Sequence, residues 1–142
     1  MQNSPTQLLR GAAAALCLVA FLILAGCSDG RLKTAPVKGT IRYNGKPVPQ
    51  GSIMFQPEQG PAATANIKNG SYSLKTYKND DGAILGKHKV TVISLEDQAG
   101  RLPEDRNPLP PPIVPLKYNF PDKSGLTAEV KDEPNTFDFH LK

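Results

Sequence analysis

Tryptophan is absent from this chain, aromatic residues make up only 6%, and neither of the two cysteines, Cys17 and Cys27, lies beyond position 27. A disulfide framework or a cysteine zinc site is therefore excluded from residues 28–142, which must hold together by core packing and strand pairing. Only two histidines are present, His88 and His140. No Gly-x-Ser-x-Gly elbow, phosphate-binding glycine loop or His-Glu-x-x-His metalloprotease motif occurs, so no nucleophile or metal arrives with its usual partners. Sustained helical periodicity is also missing. What the chain does have is 12 glycines and 14 prolines, a mixture that suits short strands joined by turns. The net charge of +4 is mild, and the basic residues are scattered through the strand-like segments. They form no stripe of the kind nucleic acid requires.

The first 26 residues read differently from the rest. Met1 to Arg10 is polar with one positive charge, and Gly11 to Leu24 is an apolar run too short to span a bilayer comfortably. This is the layout of a helical export signal. Leu24-Ala25-Gly26-Cys27 then resembles the bacterial lipobox, in which a large apolar and two small residues precede a cysteine that receives lipid. The small residues let the signal peptidase approach the backbone, and the thiolate is the nucleophile that takes diacylglycerol. The expectation is a signal peptide over 1–26, acyl chains (palmitate among them) on Cys27, and a lipid-anchored tether over 27–35. Two or three chains hold where one would not. Ser28 follows the cysteine where aspartate would favour inner-membrane retention under the enteric sorting rule; by resemblance this leans to the outer membrane. Ordinary secretion, with Cys27 a bystander, is the alternative.

Residues 36–142 are expected to form one all-β domain. Val37, Ile41 and Tyr43 alternate with Lys38, Thr40 and Arg42 as a half-buried strand requires, and Asn44-Gly45 supplies a turn. Ile53 and Phe55 share a face of a second strand ended by Pro57. Asn69-Gly70 predicts a hairpin that pairs Lys68 with Ser71, Ile67 with Tyr72 and Ala65 with Leu74, leaving Thr64, Asn66, Ser73 and Lys75 outside. A strand over Lys87–Leu95 places His88, Val90 and Val92 on one face and Lys89, Thr91 and Ile93 on the other, as in a central strand. Glu96 to Pro112 reads as a proline-rich loop, a strand resumes over Ile113–Tyr118, and Leu126, Ala128 and Val130, then Phe137, Phe139 and Leu141, alternate again. Seven or eight short strands with regular turn signals predict a Greek-key β-sandwich.

The string Val37-Lys38-Gly39-Thr40-Ile41-Arg42-Tyr43-Asn44-Gly45-Lys46-Pro47-Val48, with Ile53-Met54-Phe55-Gln56-Pro57, Asn69-Gly70-Ser71-Tyr72-Ser73-Leu74, Asp81-Gly82-Ala83 and Gly86-Lys87-His88-Lys89-Val90-Thr91-Val92, resembles carboxypeptidase regulatory-like domains. Pro115 to Tyr118 and Ser124-Gly125-Leu126-Thr127 look similar to small bacterial lipoproteins carrying that domain. The resemblance implies a transthyretin-like, seven-stranded sandwich acting as an accessory or interaction module, and it carries over no catalytic residue. His88 stands where such domains more often have tyrosine. The hydroxyisourate hydrolases of the same fold end in Tyr-Arg-Gly-Ser; this chain ends in Phe139-His140-Leu141-Lys142.

Asn79-Asp80-Asp81 invites a calcium reading, but EF-hand spacing is absent, and Asp81-Gly82 reads as a turn. Alternation puts His88 and His140 at a core edge and on the surface, so no metal site and no cofactor is expected. Tyr77 and Tyr118 are the aromatic candidates for sugar stacking outside the core. Within the proline loop, Arg101, Arg106, Pro110, Pro111 and Pro112 are the candidate partner contacts, two cations and a stiff ridge. The expected function is a non-enzymatic, lipid-anchored envelope module whose partners are the membrane, through Cys27, and an envelope protein or polysaccharide. The alternative is an envelope carrier for a carbohydrate or small ligand.

Overall fold

The computed structural model describes residues 30–97 and 110–142. The chain divides into two compact units, Met1–Arg31 and Leu32–Lys142. The expected signal peptide, with Leu24, Ala25, Gly26 and Cys27, lies outside the described residues. So do Arg101 and Arg106.

The second unit is all-β. Its strands are β1 (Thr34–Ala35), β2 (Val37–Tyr43), β3 (Lys46–Pro47), β4 (Gln50–Pro57), β5 (Ala63–Lys68), β6 (Ser71–Ser73), β7 (Ala83–Ile84), β8 (Gly86–Ile93), β9 (Leu126–Val130), β10 (Asn135–Thr136) and β11 (Phe139–Leu141). A small sheet pairs β1 with β7, and a large one runs β10-β2-β6-β5-β4-β8-β9, with β3 and β11 also paired to β2. The hairpin-connected β4, β5 and β6, with β2 returning beside β6, make a Greek key. The large sheet curls on itself into a sandwich around Phe55. Its ring, fully buried on β4, packs against Tyr72 at 6.3 Å, Phe137 at 5.8 Å and Phe139 at 6.1 Å between centroids. Ile41, Ile53, Leu74 and Leu141 are equally inaccessible, and each contributes about 1.5–3 kcal/mol by leaving water.

The alternation read from the sequence decides which residues face that core. In β5 Ala63, Ala65 and Ile67 are buried and the residues between them exposed. Lys68 pairs with Ser71 across the Asn69-Gly70 turn, and Thr64 bridges Lys75 in the same register. Gly70 is required for two reasons. Its φ of +79° is strained for any side chain, and a Cβ there would lie 2.8 Å from Pro47 Cβ and 3.2 Å from the Ile41 carbonyl. Strand β8, hydrogen-bonded to β4 and β9, is central, and Thr91 on its outer face is 2% exposed.

Two expectations need correction. Thr34 and Ala35, placed in the tether, form a strand with Ile84 and Ala83, and Lys33 O accepts from Leu85 N. The folded unit therefore begins at Leu32 rather than Pro36; two-residue strands paired across nearly fifty positions leave no periodic signal. Residues Ile113–Tyr118 are not a strand. Bends lead into a 3-10 helix over Leu116–Asn119 whose N-cap is Pro115, because Pro112, Pro115 and Pro121 cannot donate to a ladder. The expected sandwich of short strands is present, its described residues forming eleven strands of which several are two- or three-residue segments.

Candidate functional site

The β4–β8–β9 side of the sandwich carries an open depression of about 830 Å³. Strand pairing builds it: Gln56 and Pro57 stand opposite Lys89 and His88, and His88 stands opposite Ala128. Glu58, Lys87, Glu129 and Asp122 add charge, and Phe137 contributes an apolar wall. Lys89 Nζ donates to Asp122 Oδ1. That hydrogen bond and the opposite charge raise the Lys89 pKa and lower the Asp122 pKa from their ordinary values. Both groups are solvated, so the pair orients the segment around residue 122 more than it stabilises the fold.

His88 is 3% exposed and packs 5.7 Å from the Phe55 ring. Its Nε2 lies 2.7 Å from Ile84 O. A carbonyl only accepts, so Nε2 carries the proton, and Nδ1 is buried with no protein hydrogen-bond partner among the described residues. The lining offers one hydroxyl, Thr127, and neither serine nor cysteine. The imidazole is thus committed to holding β8 against β7.

The acidic turn is satisfied by its own backbone. Asp81 accepts from the N–H of Thr76, Tyr77 and Lys78 at 2.7, 2.9 and 3.0 Å. Burial works to raise its pKa, but these donors and the Lys78 charge outweigh it, and the net shift is downward. Asp80 accepts from Ser73 Oγ. Oxygens engaged in this way are those of a turn cap, and no cluster of three or more metal-ligating side chains occurs among the described residues.

The two tyrosines offered for sugar stacking do not share a cleft. Tyr118 is 5% exposed in the core, its hydroxyl donating to Lys142 O at 2.9 Å and accepting from Lys142 N at 3.0 Å. Tyr77 is partly exposed and accepts from Leu32 N. On β6, Tyr72 donates to Phe137 O at 2.8 Å, and burial, reinforced by the Asp138 charge, holds its phenol well above the usual range. Asp138 is held below the usual carboxylate range by the Thr40 hydroxyl and N–H.

The proline ridge is partly zipped into the fold. Pro112 bridges Leu95, Glu96 N donates to Pro111 O, and Ile113 N donates to Ser94 O. Pro111 and Pro112 are exposed at this stem and Pro110 is half-buried. Sequence reading missed the depression altogether. Its lining is drawn from five stretches between residues 56 and 137, three of which the β4–β8–β9 register brings together. The one signal on offer was the alternating charge of Lys87 and Lys89 on a strand with two buried neighbours. No family model matches the chain, and no curated protein or solved structure matches it significantly.

Proposed function

We propose that this protein is a lipid-anchored, non-enzymatic module of a bacterial cell envelope. The observation that carries the reading is Leu24-Ala25-Gly26-Cys27 at the end of an apolar run, with the folded unit beginning five residues later at Leu32. Five residues reach at most about 18 Å, so an anchor on Cys27 keeps the sandwich at the membrane surface. The resemblance to carboxypeptidase regulatory-like domains supports an accessory role. So does the chemistry of the described residues, whose one buried imidazole is bonded to a backbone carbonyl. The partners are the membrane and an envelope protein or polysaccharide.

Intact mass of the protein from native membranes, beside a Cys27→Ser variant, tests this. Loss of residues 1–26 with added diacylglyceryl and acyl mass, absent in the variant, is the expected result; a cleaved, unlipidated product sinks the anchor. A small-ligand carrier is the second reading, favoured by the 830 Å³ depression. Chemical-shift changes at His88, Thr127 and Ala128 in a titration with sugars would promote it.

A further inference from the structure

Four large apolar side chains stand exposed among the described residues, and two of them, Leu116 at 56% and Phe120 at 52%, are four residues apart on one turn. Isolated exposed hydrophobics are ordinary. These two are set apart by what surrounds them. Lys117 Nζ lies 4.8 Å from the Tyr118 ring and Lys123 Nζ 5.3 Å from the Phe120 ring. The only acid from Leu116 to Ser124 is Asp122, which is bonded to Lys89. Lys142, also exposed, is tied by its backbone to Tyr118.

The turn is held in shape from beneath. Phe120 O accepts from Lys123 N at 3.0 Å and Ser124 N at 2.8 Å, and Ser124 Oγ donates to Val90 O at 2.7 Å. Little ordering remains to be lost on contact. A pair of exposed side chains is far smaller than the roughly 800 Å² per partner of a stable protein interface. Apolar tips flanked by lysines that can extend toward phosphates do suit the headgroup boundary of an anionic bilayer.

We propose that the Leu116–Lys123 turn is a second membrane contact, which seats Leu116 and Phe120 in an anionic lipid surface beneath Lys117 and Lys123. The inference rests on the lipid-anchor reading, because a contact this small matters only where a tether holds the domain close. The turn and the tether leave from opposite ends of the sandwich. Tyr118 binds the strand end at Leu141–Lys142, which pairs with Tyr43, whereas Leu32 leads to the Val37 end of β2. Contact at both points lays β2 along the membrane, about 20 Å from end to end, and stops the domain swinging free.

The absence of tryptophan makes the test direct. A Phe120→Trp variant of the lipidated protein is reconstituted in vesicles of phosphatidylcholine alone, or with phosphatidylglycerol, each with and without brominated acyl chains. Ile93→Trp, on an exposed site of the outer β8 face, serves as the reference. The expected result is blue-shifted emission and bromine quenching for Phe120→Trp in the anionic vesicles and neither for Ile93→Trp. Replacing Lys117 and Lys123 by glutamine lowers the docked-to-free ratio about 25-fold, roughly fivefold per lysine. Leu116→Trp repeats the measurement should Phe120→Trp misfold. Water-like, unquenched emission from protein that floats with the vesicles overturns the proposal and leaves the anchor standing; failure to float, with no lipid mass, overturns the anchor itself.

Discussion

The β5–β6 hairpin and the return segment from Pro110 to Ser124 both line the same core, and they are held there by different means. In the hairpin every second residue is buried, one turn sets the register, and continuous ladders to β4 and β2 flank it on both sides. The return segment buries Val114, Tyr118 and Ser124 without periodicity. It depends on single bonds to distant places: Ile113 N to Ser94 O, Tyr118 Oη to Lys142, and Ser124 Oγ to Val90 O. A repeating pattern distributes its stability over many small contacts. A segment secured at a few points concentrates it, and its loss stays local.

The largest expected effect falls on the hairpin side. Leu74→Ala, at a fully buried position, should lower the unfolding free energy by about 2–5 kcal/mol, moving the urea midpoint without changing the slope. Gly70→Val comes next, at about 1–2 kcal/mol, because a β-branched residue is forced to φ +79° against Pro47. Tyr118→Phe should cost only about 1 kcal/mol. Its effect should stay in the return segment: hydrogen exchange quickens from residue 113 to 124 and at Lys142 while the amides of Ala65 and Ile67 keep their protection. Uniform loss of protection would show that the two regions unfold as one.

The smallest effect concerns the loop that follows the hairpin. The folded-state pKa of Asp81 is lowered from its usual 3.8. Its contribution is therefore present above that value and is lost as pH falls through the lower folded value. Asp81→Asn should flatten acid unfolding in this window and lower stability near pH 7 slightly, since a single amide oxygen cannot accept both at the Thr76 N–H on Oδ1 and at the Tyr77 and Lys78 N–H groups on Oδ2. A variant as acid-sensitive as the parent would place the titration elsewhere.

Much of the hairpin side was legible from residue order alone. Asn44-Gly45 and Asn69-Gly70 turn where expected, with left-handed Asn44 and Asn69, and the buried faces of β2, β4, β5, β8 and β9 follow their alternation. Pairings between distant segments were not legible. Thr34–Ala35 meets Ala83–Ile84 with no pattern in either, and Tyr118 entered the core because its hydroxyl found the backbone of Lys142. Periodicity reports which face of an element is apolar, not which far element will cover it. The depression was hidden for the same reason: Lys89 and Asp122 are 33 positions apart. Leu116 fell within the expected Ile113–Tyr118 strand, whereas Pro115 and Pro121 bracket a 3-10 turn there.

Strands β10 and β11 lie parallel to β2, joining Asn135 to Val37 and Leu141 to Tyr43. Nearly the whole described length thus separates partners in the innermost layer, an arrangement that raises contact order and slows closure. For a polypeptide that emerges amino end first, whether from a ribosome or through a translocation pore, β2 has no edge partner until residues 135–141 have followed it out. The sandwich can form the local β4–β5–β6 meander early, but it cannot shut. A chain built in this order stays threadable until residues 135–141 have emerged.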